Sequence, residues 1–191
     1  MRTWAWRLLL LPALTGIACS DSKSPELLPP DVEIEQLYLF DVYLVNSAWG
    51  YILRGTYVDN QGNVVSYDHS FERWIPLEEY RPCNSFTLEE LKEKYIAPSD
   101  TVAHVDKETL LDMFSLIEEA SLGELSEGTT TGFDMGTYAH VCYQYDQGTD
   151  RYIEVLLSEA GDYTRANLSD AAVELLDWLN TVLADAYGEG K

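Results

Sequence analysis

The sequence predicts an α+β fold, a mostly antiparallel sheet of four to six strands with about three helices packed on one face. Three observations predict it. Strand-like runs rich in Val, Ile, Tyr and Phe cluster early in the chain and again in its second half, and short polar turns join neighbouring runs, as in antiparallel hairpins. Three segments carry apolar residues at helical spacing behind clear start signals. Strands and helices come in groups instead of alternating, which separates α+β from α/β.

Taken in order, "VEIEQLYLFDVYLV" from Val32 reads as the first strand. "GYILRGTYVDNQGNVVSYDHSF" is the clearest hairpin, with arms Tyr51 to Val58 and Val64 to His69. Its turn is "DNQGN", where Gly62 can take a positive φ. "RWIPLEEYRPCNS" holds two prolines and has little period, so it reads as a loop. "FTLEELKEKY" then starts a helix. Thr87 is the N-cap, Glu90 completes a capping box, and Phe86 and Leu91 stand at the staple positions. "VDKETLLDMFSLIEEASLG" repeats this logic with Asp106 as cap and Val105 against Leu110, and Gly123 marks its end. "GELSEGTTTGFDMGT" is rich in Gly and Thr and aperiodic, a surface loop over 123–137. "YAHVCYQYD" and "RYIEVLLSE" are two more strands joined by the turn "QGTD". The last helix, "LSDAAVELLDWLNTVLADAY", is capped by Ser169. It presents Ala172, Leu175, Leu176, Leu179, Val182, Leu183 and Ala186 as one apolar stripe. No internal repeat and no second core stand out, so 31–191 reads as a single acidic domain.

The start of the chain has a different character. "MRTWAWRLLLLPALTGIAC" opens with Arg2 and Arg7, continues with an apolar run from Leu8 to Leu14, and ends in small residues before Cys19. This is the order of a secretory signal peptide, and the apolar run is too short to span a bilayer, which takes about 20 residues. The segment resembles the signal peptides of bacterial lipoproteins. In that family a small residue, here Ala18, precedes a cysteine that receives lipid and becomes the first residue of the mature protein. Gly16 stands where the family usually has Leu, and Leu14 lies two residues earlier. The resemblance covers the first 20 residues or so and implies a signal peptide over 1–18, lipidation at Cys19 and residence in the cell envelope. Ser20 after the cysteine permits outer-membrane sorting in an organism with two membranes. Cleavage after "GIA" by an ordinary signal peptidase, releasing a soluble secreted protein, is the competing reading. "SDSKSPELLPPD" is polar and proline-containing, which suits a flexible tether over 19–30 between lipid and domain.

The cysteine count fits this reading. There are three, Cys19, Cys83 and Cys142, and an exported chain with an odd number has a spare to explain. With Cys19 acylated, Cys83 and Cys142 are left to form a disulfide. Such a bridge closes a loop of about 60 residues, worth roughly 4 kcal/mol in the chain-entropy model. The alternative is two buried free thiols.

Charge excludes one class of partner. The chain has 12 Lys and Arg against 33 Asp and Glu. Removing Arg2 and Arg7 with the leader leaves 10 basic against 33 acidic residues, a net charge of −23. A field of that sign repels nucleic acid and anionic headgroups. It is compatible with basic proteins or divalent cations, and equally with a plain solvated surface.

No motif for catalysis, a cofactor or a metal rises above background. His69, His104 and His140 are not spaced as zinc ligands. "AHVD" sets His104 and Asp106 two residues apart, a weak acid–base candidate because Asp106 already caps a helix. Alternation places Tyr138, His140 and Cys142 on one strand face. Asp59, Gln61 and Asn63 mimic the start of a calcium loop, but Val64 and Ser70 stand where its glycine and glutamate belong. Asp146 and Asp150 flank a tight turn. Asp134 follows a Thr run but lacks the Asp-[ST]-Gly pattern of acid proteases, since Met135 comes next. The 13 tyrosines are the strongest composition signal. With helices on one sheet face, the other is expected to show Tyr to solvent, a surface suited to binding. The functional expectation is therefore an exported, membrane-anchored, non-enzymatic domain. It binds a protein or small ligand through an open sheet face or the 123–137 loop. A small hydrolase or metal-assisted enzyme built on His104, Asp106 and His140, and a structural envelope protein, are the alternatives.

Overall fold

The computed structural model describes residues 33–48, 50–69, 84–96 and 98–188, which fall almost wholly within one compact unit, Ile34–Lys191. The expected signal peptide over 1–18, the expected tether over 19–30, Cys19 and Cys83 lie outside the described residues.

Nine strands build one antiparallel sheet among the described residues. They are β1 (Tyr38–Asn46), β2 (Ile52–Asp59), β3 (Asn63–Asp68), β4 (Ser85–Phe86), β5 (Pro98–His104), β6 (Thr129–Thr130), β7 (Thr137–Asp146), β8 (Arg151–Gly161) and β9 (Tyr163–Ala166). The spatial order is β5-β3-β2-β1-β7-β8-β9-β6, with β4 pairing β8 off this path. The five strands expected from the sequence are β1, β2, β3, β7 and β8. The sheet exceeds the predicted four to six because β4, β5, β6 and β9 join it. Three of these run to four residues or fewer, too short to show a two-residue period. The fourth, β5, opens with a proline. They are strands because a neighbour offers an edge, a fact about pairing and not about local preference.

The β2–β3 hairpin forms as its residues predict. Gly62 adopts φ 82°. Asp59 accepts from the Gln61 and Asn63 amides at 2.9 and 2.8 Å and from the Asn63 side chain at 2.9 Å. Both its oxygens are therefore spent inside the turn, which disposes of the calcium-loop mimicry.

Helix α1 (Leu88–Lys94) carries the predicted capping box between Thr87 and Glu90. The second predicted helix breaks at Leu116 into α2 (Lys107–Ser115) and α3 (Ile117–Ser121), with Asp106 capping α2. Helix α4 (Asp170–Tyr187) runs from the Ser169 cap to Gly188, which ends it at φ 73°.

The helices do not all pack on one face, contrary to the expectation. Helices α2, α3 and α4 cover one side, where Leu110, Ile117, Leu175 and Leu179 pack with Leu39, Phe40, Val42, Cys142 and Leu157. Helix α1 lies on the other, its Leu91 packed with Tyr38, Tyr43, Tyr57, Tyr67, Tyr143 and Tyr152. A bulge at Leu39 lets both Leu39 and Phe40 face the first side. The tyrosine face is therefore a second core and not an open surface. Tyr143 is 0 % exposed, and the most exposed of those six rings is Tyr57, at 9 %.

Candidate functional site

The tyrosine core is organised around two charges. Asp41 points inward from the centre of β1 and is 0 % exposed, and Lys94 ends α1 at 1 %. Lys94 Nζ meets Asp41 Oδ2 at 2.7 Å. The Tyr67 hydroxyl donates to both Asp41 oxygens, at 3.1 and 3.0 Å, and that of Tyr95 donates to Oδ2 at 2.9 Å. Tyr143 accepts from Lys94 at 2.9 Å and shares a 3.0 Å bond with Tyr95. The ammonium also sits 4.4 Å from the centre of the Tyr43 ring and 5.5 Å from that of Tyr95. Glu154, the cross-strand partner of Tyr143, adds a buried carboxylate to the same face. Burial, and then the Asp41 charge, hold the hydroxyls of Tyr67, Tyr95 and Tyr143 well above the ordinary tyrosine range. They stay protonated donors. Burial also pushes Tyr38 up to about 12.

On the opposite face His140 lies under α4. Its Nε2 meets Asn180 Oδ1 at 3.2 Å and its Nδ1 meets Ser158 Oγ at 3.1 Å. Burial lowers the His140 pKa, and the Asn180 bond opposes that only in part. The neutral ring donates to Asn180 and accepts from Ser158. Serine, base and amide stand in the order of a nucleophilic relay, but neither Ser158 nor His140 lines the neighbouring cleft. The group reads as a clasp between α4 and the sheet. Beside it, where α4 ends, strands β1 to β3 stay uncovered and form a cleft of about 540 Å³. Leu44, Arg54, Asp68, Tyr138, Leu183 and Tyr187 line it, and Tyr187 is tied to Thr56 at 2.8 Å. This is the open part of the sheet, and it lies on the α4 side and not on the tyrosine-rich one.

The third feature is the end of the 123–137 loop. Asp162 accepts from the amides of Met135 at 2.8 Å and Gly136 at 3.3 Å. Its own amide donates to Gly136 O at 2.9 Å, and its carbonyl accepts from the Thr131 amide at 3.1 Å. Asn46 donates to Asp134 O at 3.2 Å, and the Thr131 hydroxyl donates to Gly161 O. Asp134 is held at φ 63°, a left-handed conformation that Asp tolerates better than most residues. Pinned in this way, the loop leaves Phe133 86 % and Met135 59 % exposed. A cleft of about 710 Å³ opens beside it, walled by Asn46, Asp134, Asp162 and the 2.6 Å Glu159–Arg165 pair.

The residues singled out in the sequence are mostly kept apart. His104 lies on the outermost strand β5, and three strands separate it from His140 on β7. At about 4.8 Å per strand that is roughly 19 Å. Asp106 is committed to capping, accepting from the Thr109 amide at 3.0 Å and hydroxyl at 2.8 Å, which lowers its pKa. The hydrolase reading thus loses its candidate trio. Asp146 is likewise spent on the Gly148 amide and Thr149 hydroxyl, and Asp150 on the Tyr145 hydroxyl. Cys142 is buried beneath the helices α2 to α4, and burial raises the pKa of its thiol; its expected partner, Cys83, lies outside the described residues.

Sequence reasoning missed Asp41 and Lys94. A signal was present for both. Asp41 interrupts the apolar run "LYLFDVYLV", and Lys94 falls three residues after Leu91, on the packed stripe of its helix. Ser158 had none, since it meets His140 only through the β7–β8 register.

No protein-family model matches the chain, and no curated protein and no solved structure matches it.

Proposed function

We propose that the chain is an exported lipoprotein, anchored through lipid at Cys19 in the cell envelope. Its folded domain is a non-enzymatic interaction module that takes a protein partner on the 131–137 loop. The anchor rests on the sequence of the leader and on the spare cysteine; Cys83 and Cys142 are then left to pair. In an organism with two membranes, Ser20 permits sorting to the outer one.

The binding reading is carried by one observation, the 86 % exposure of Phe133 on a loop held by hydrogen bonds on both sides. A large apolar ring left in water is costly. A loop ordered before contact loses little further entropy on binding. An aromatic anchor next to a thioether and polar walls matches the composition of interface centres.

Two measurements test this. Intact mass of the mature protein from a bacterial host is expected to show loss of residues 1–18 and acyl addition at Cys19. An unmodified chain beginning at Met1 would refute the anchor. A photo-crosslinking residue at position 133, in cells that make the protein naturally, is expected to give a discrete adduct. The same residue at Leu122, which is 80 % exposed, serves as control. Identical products from the two positions would refute the loop as the contact surface.

A further inference from the structure

We propose that Lys94 and Asp41 become covalently joined by an amide bond between Lys94 Nζ and Asp41 Cγ, an internal crosslink between α1 and the central strand β1.

The pair is built for condensation more than for persistence as ions. Both side chains are removed from water, at 1 % and 0 % exposure, and stand 2.7 Å apart. A buried ion pair keeps a desolvation cost for each charge. Turning both ions into one neutral amide removes it. The two reacting groups are already held in contact by the packing of a helix against a sheet, so reaction loses little orientational entropy. Water, the reagent that would reverse the step, is excluded from the site.

The chemistry balances without any further reagent. The ammonium passes one proton to the carboxylate across the 2.7 Å contact, giving a neutral amine and a carboxylic acid. The amine lone pair attacks Cγ, and a C–N bond forms. The oxyanion forms on Oδ1, the oxygen that takes no proton, where the Tyr67 hydroxyl already donates at 3.1 Å and stabilises the negative charge developing on that oxygen. Tyr95 donates to Oδ2, the oxygen that leaves, at 2.9 Å. The hydroxyl on Cγ then leaves with a proton from nitrogen. One water is lost, and ammonium plus carboxylate become amide. Burial keeps both tyrosines protonated, as the step requires. Tyr143, at 2.9 Å from Nζ, positions the amine and touches one of the two donors.

The crosslink would suit the proposed setting but does not depend on it. An amide, unlike a disulfide, is indifferent to reductants.

The test is mass spectrometry of the full mature chain after reduction and alkylation. The wild type is expected to weigh about 18 Da, the mass of one water, less than its sequence with its acyl and alkyl groups added. Trypsin is expected to leave the bond after Lys94 uncut and to yield a branched species joining the peptide that ends at Arg54 to the one that contains Lys94. The Tyr67→Phe/Tyr95→Phe double variant removes only two hydroxyls from filled ring sites. It is expected to fold and to lose most of the mass deficit. Lys94→Arg keeps the charge, and is expected to show no deficit. A folded wild type at full mass, with clean cleavage after Lys94, overturns the proposal. So does a deficit traced to any other pair of residues, or a double variant that condenses as fully as the wild type.

Discussion

Asn167 offers the sharpest test of how the α3 end, β8 and α4 are held together. Its side chain is 5 % exposed and makes four hydrogen bonds. Nδ2 donates to Ala120 O at 2.8 Å and to Leu156 O at 3.3 Å. Oδ1 accepts from the Ser169 amide at 3.0 Å and the Ser169 hydroxyl at 2.9 Å. That hydroxyl in turn caps α4 by accepting from the Ala172 amide at 3.2 Å. Asn167→Ala removes all four bonds, leaves two carbonyls short of a donor and loosens the cap. At about 1 kcal/mol for each buried bond, with the 3.3 Å bond weaker and the cap adding about as much again, the loss is near 4 kcal/mol. With a urea slope of about 2 kcal/mol/M, the unfolding midpoint drops by about 2 M. Ser169→Ala, which removes the cap and the hydroxyl bond to Asn167 but leaves the other three, drops it by about 1 M. Equilibrium unfolding in urea, followed by the fluorescence of Trp178 beside Phe40, measures both. A shift for Asn167→Ala no larger than that for Ser169→Ala would show that the residue is not the hub this geometry makes it.

Further outcomes follow from other sites. Leu175 is fully buried in the α4 core, and Leu175→Ala is expected to cost about 2–5 kcal/mol in the same assay. Gly62→Ala is expected to destabilise through both strain and contact, by about 1–3 kcal/mol. Gly62 sits at φ 82°, and a Cβ there would lie 2.2 Å from Val105 O. His140 binds protons less readily folded than unfolded. The unfolded chain therefore gains protons first as pH falls, and stability due to this group is present above pH 6.5 and lost below it. Thermal melts between pH 8 and pH 5 (roughly the span over which a histidine titrates) should show that slope flattened in His140→Gln. An equal slope in the variant would assign it to other groups.

The helix starts were legible because capping is local. Thr87 with Glu90, Asp106 with Thr109, and Ser169 with Ala172 each satisfy orphan amides within three residues. The β2–β3 and β7–β8 hairpins were legible for a similar reason, since a turn and its flanking alternation fall within one short stretch. The strands β4, β6 and β9 carry no such pattern. They follow from edges that other parts of the chain supply.

The candidate sites divide in the same way. The leader, Cys19 and the acidity are linear facts, and the exposed loop around Phe133 was marked by its lack of period. That it is pinned by Asp162 depends on contacts 26 to 31 residues apart in the chain, between β9's approach and the loop.

The sequence by itself determined the fold class, the hairpins and the helix caps, because each depends on neighbours along the chain. Only the tertiary structure decided which sheet face is covered. Alternation says that Tyr43 and Tyr67 lie off the side of Val42 and Val64, and it is silent about what lies beyond them. Helix α1 could pack on either face by its own stripe. It lies over the tyrosines because Lys94 finds Asp41 there, and two charges that far from water are tolerable only with each other and with the hydroxyls that meet them.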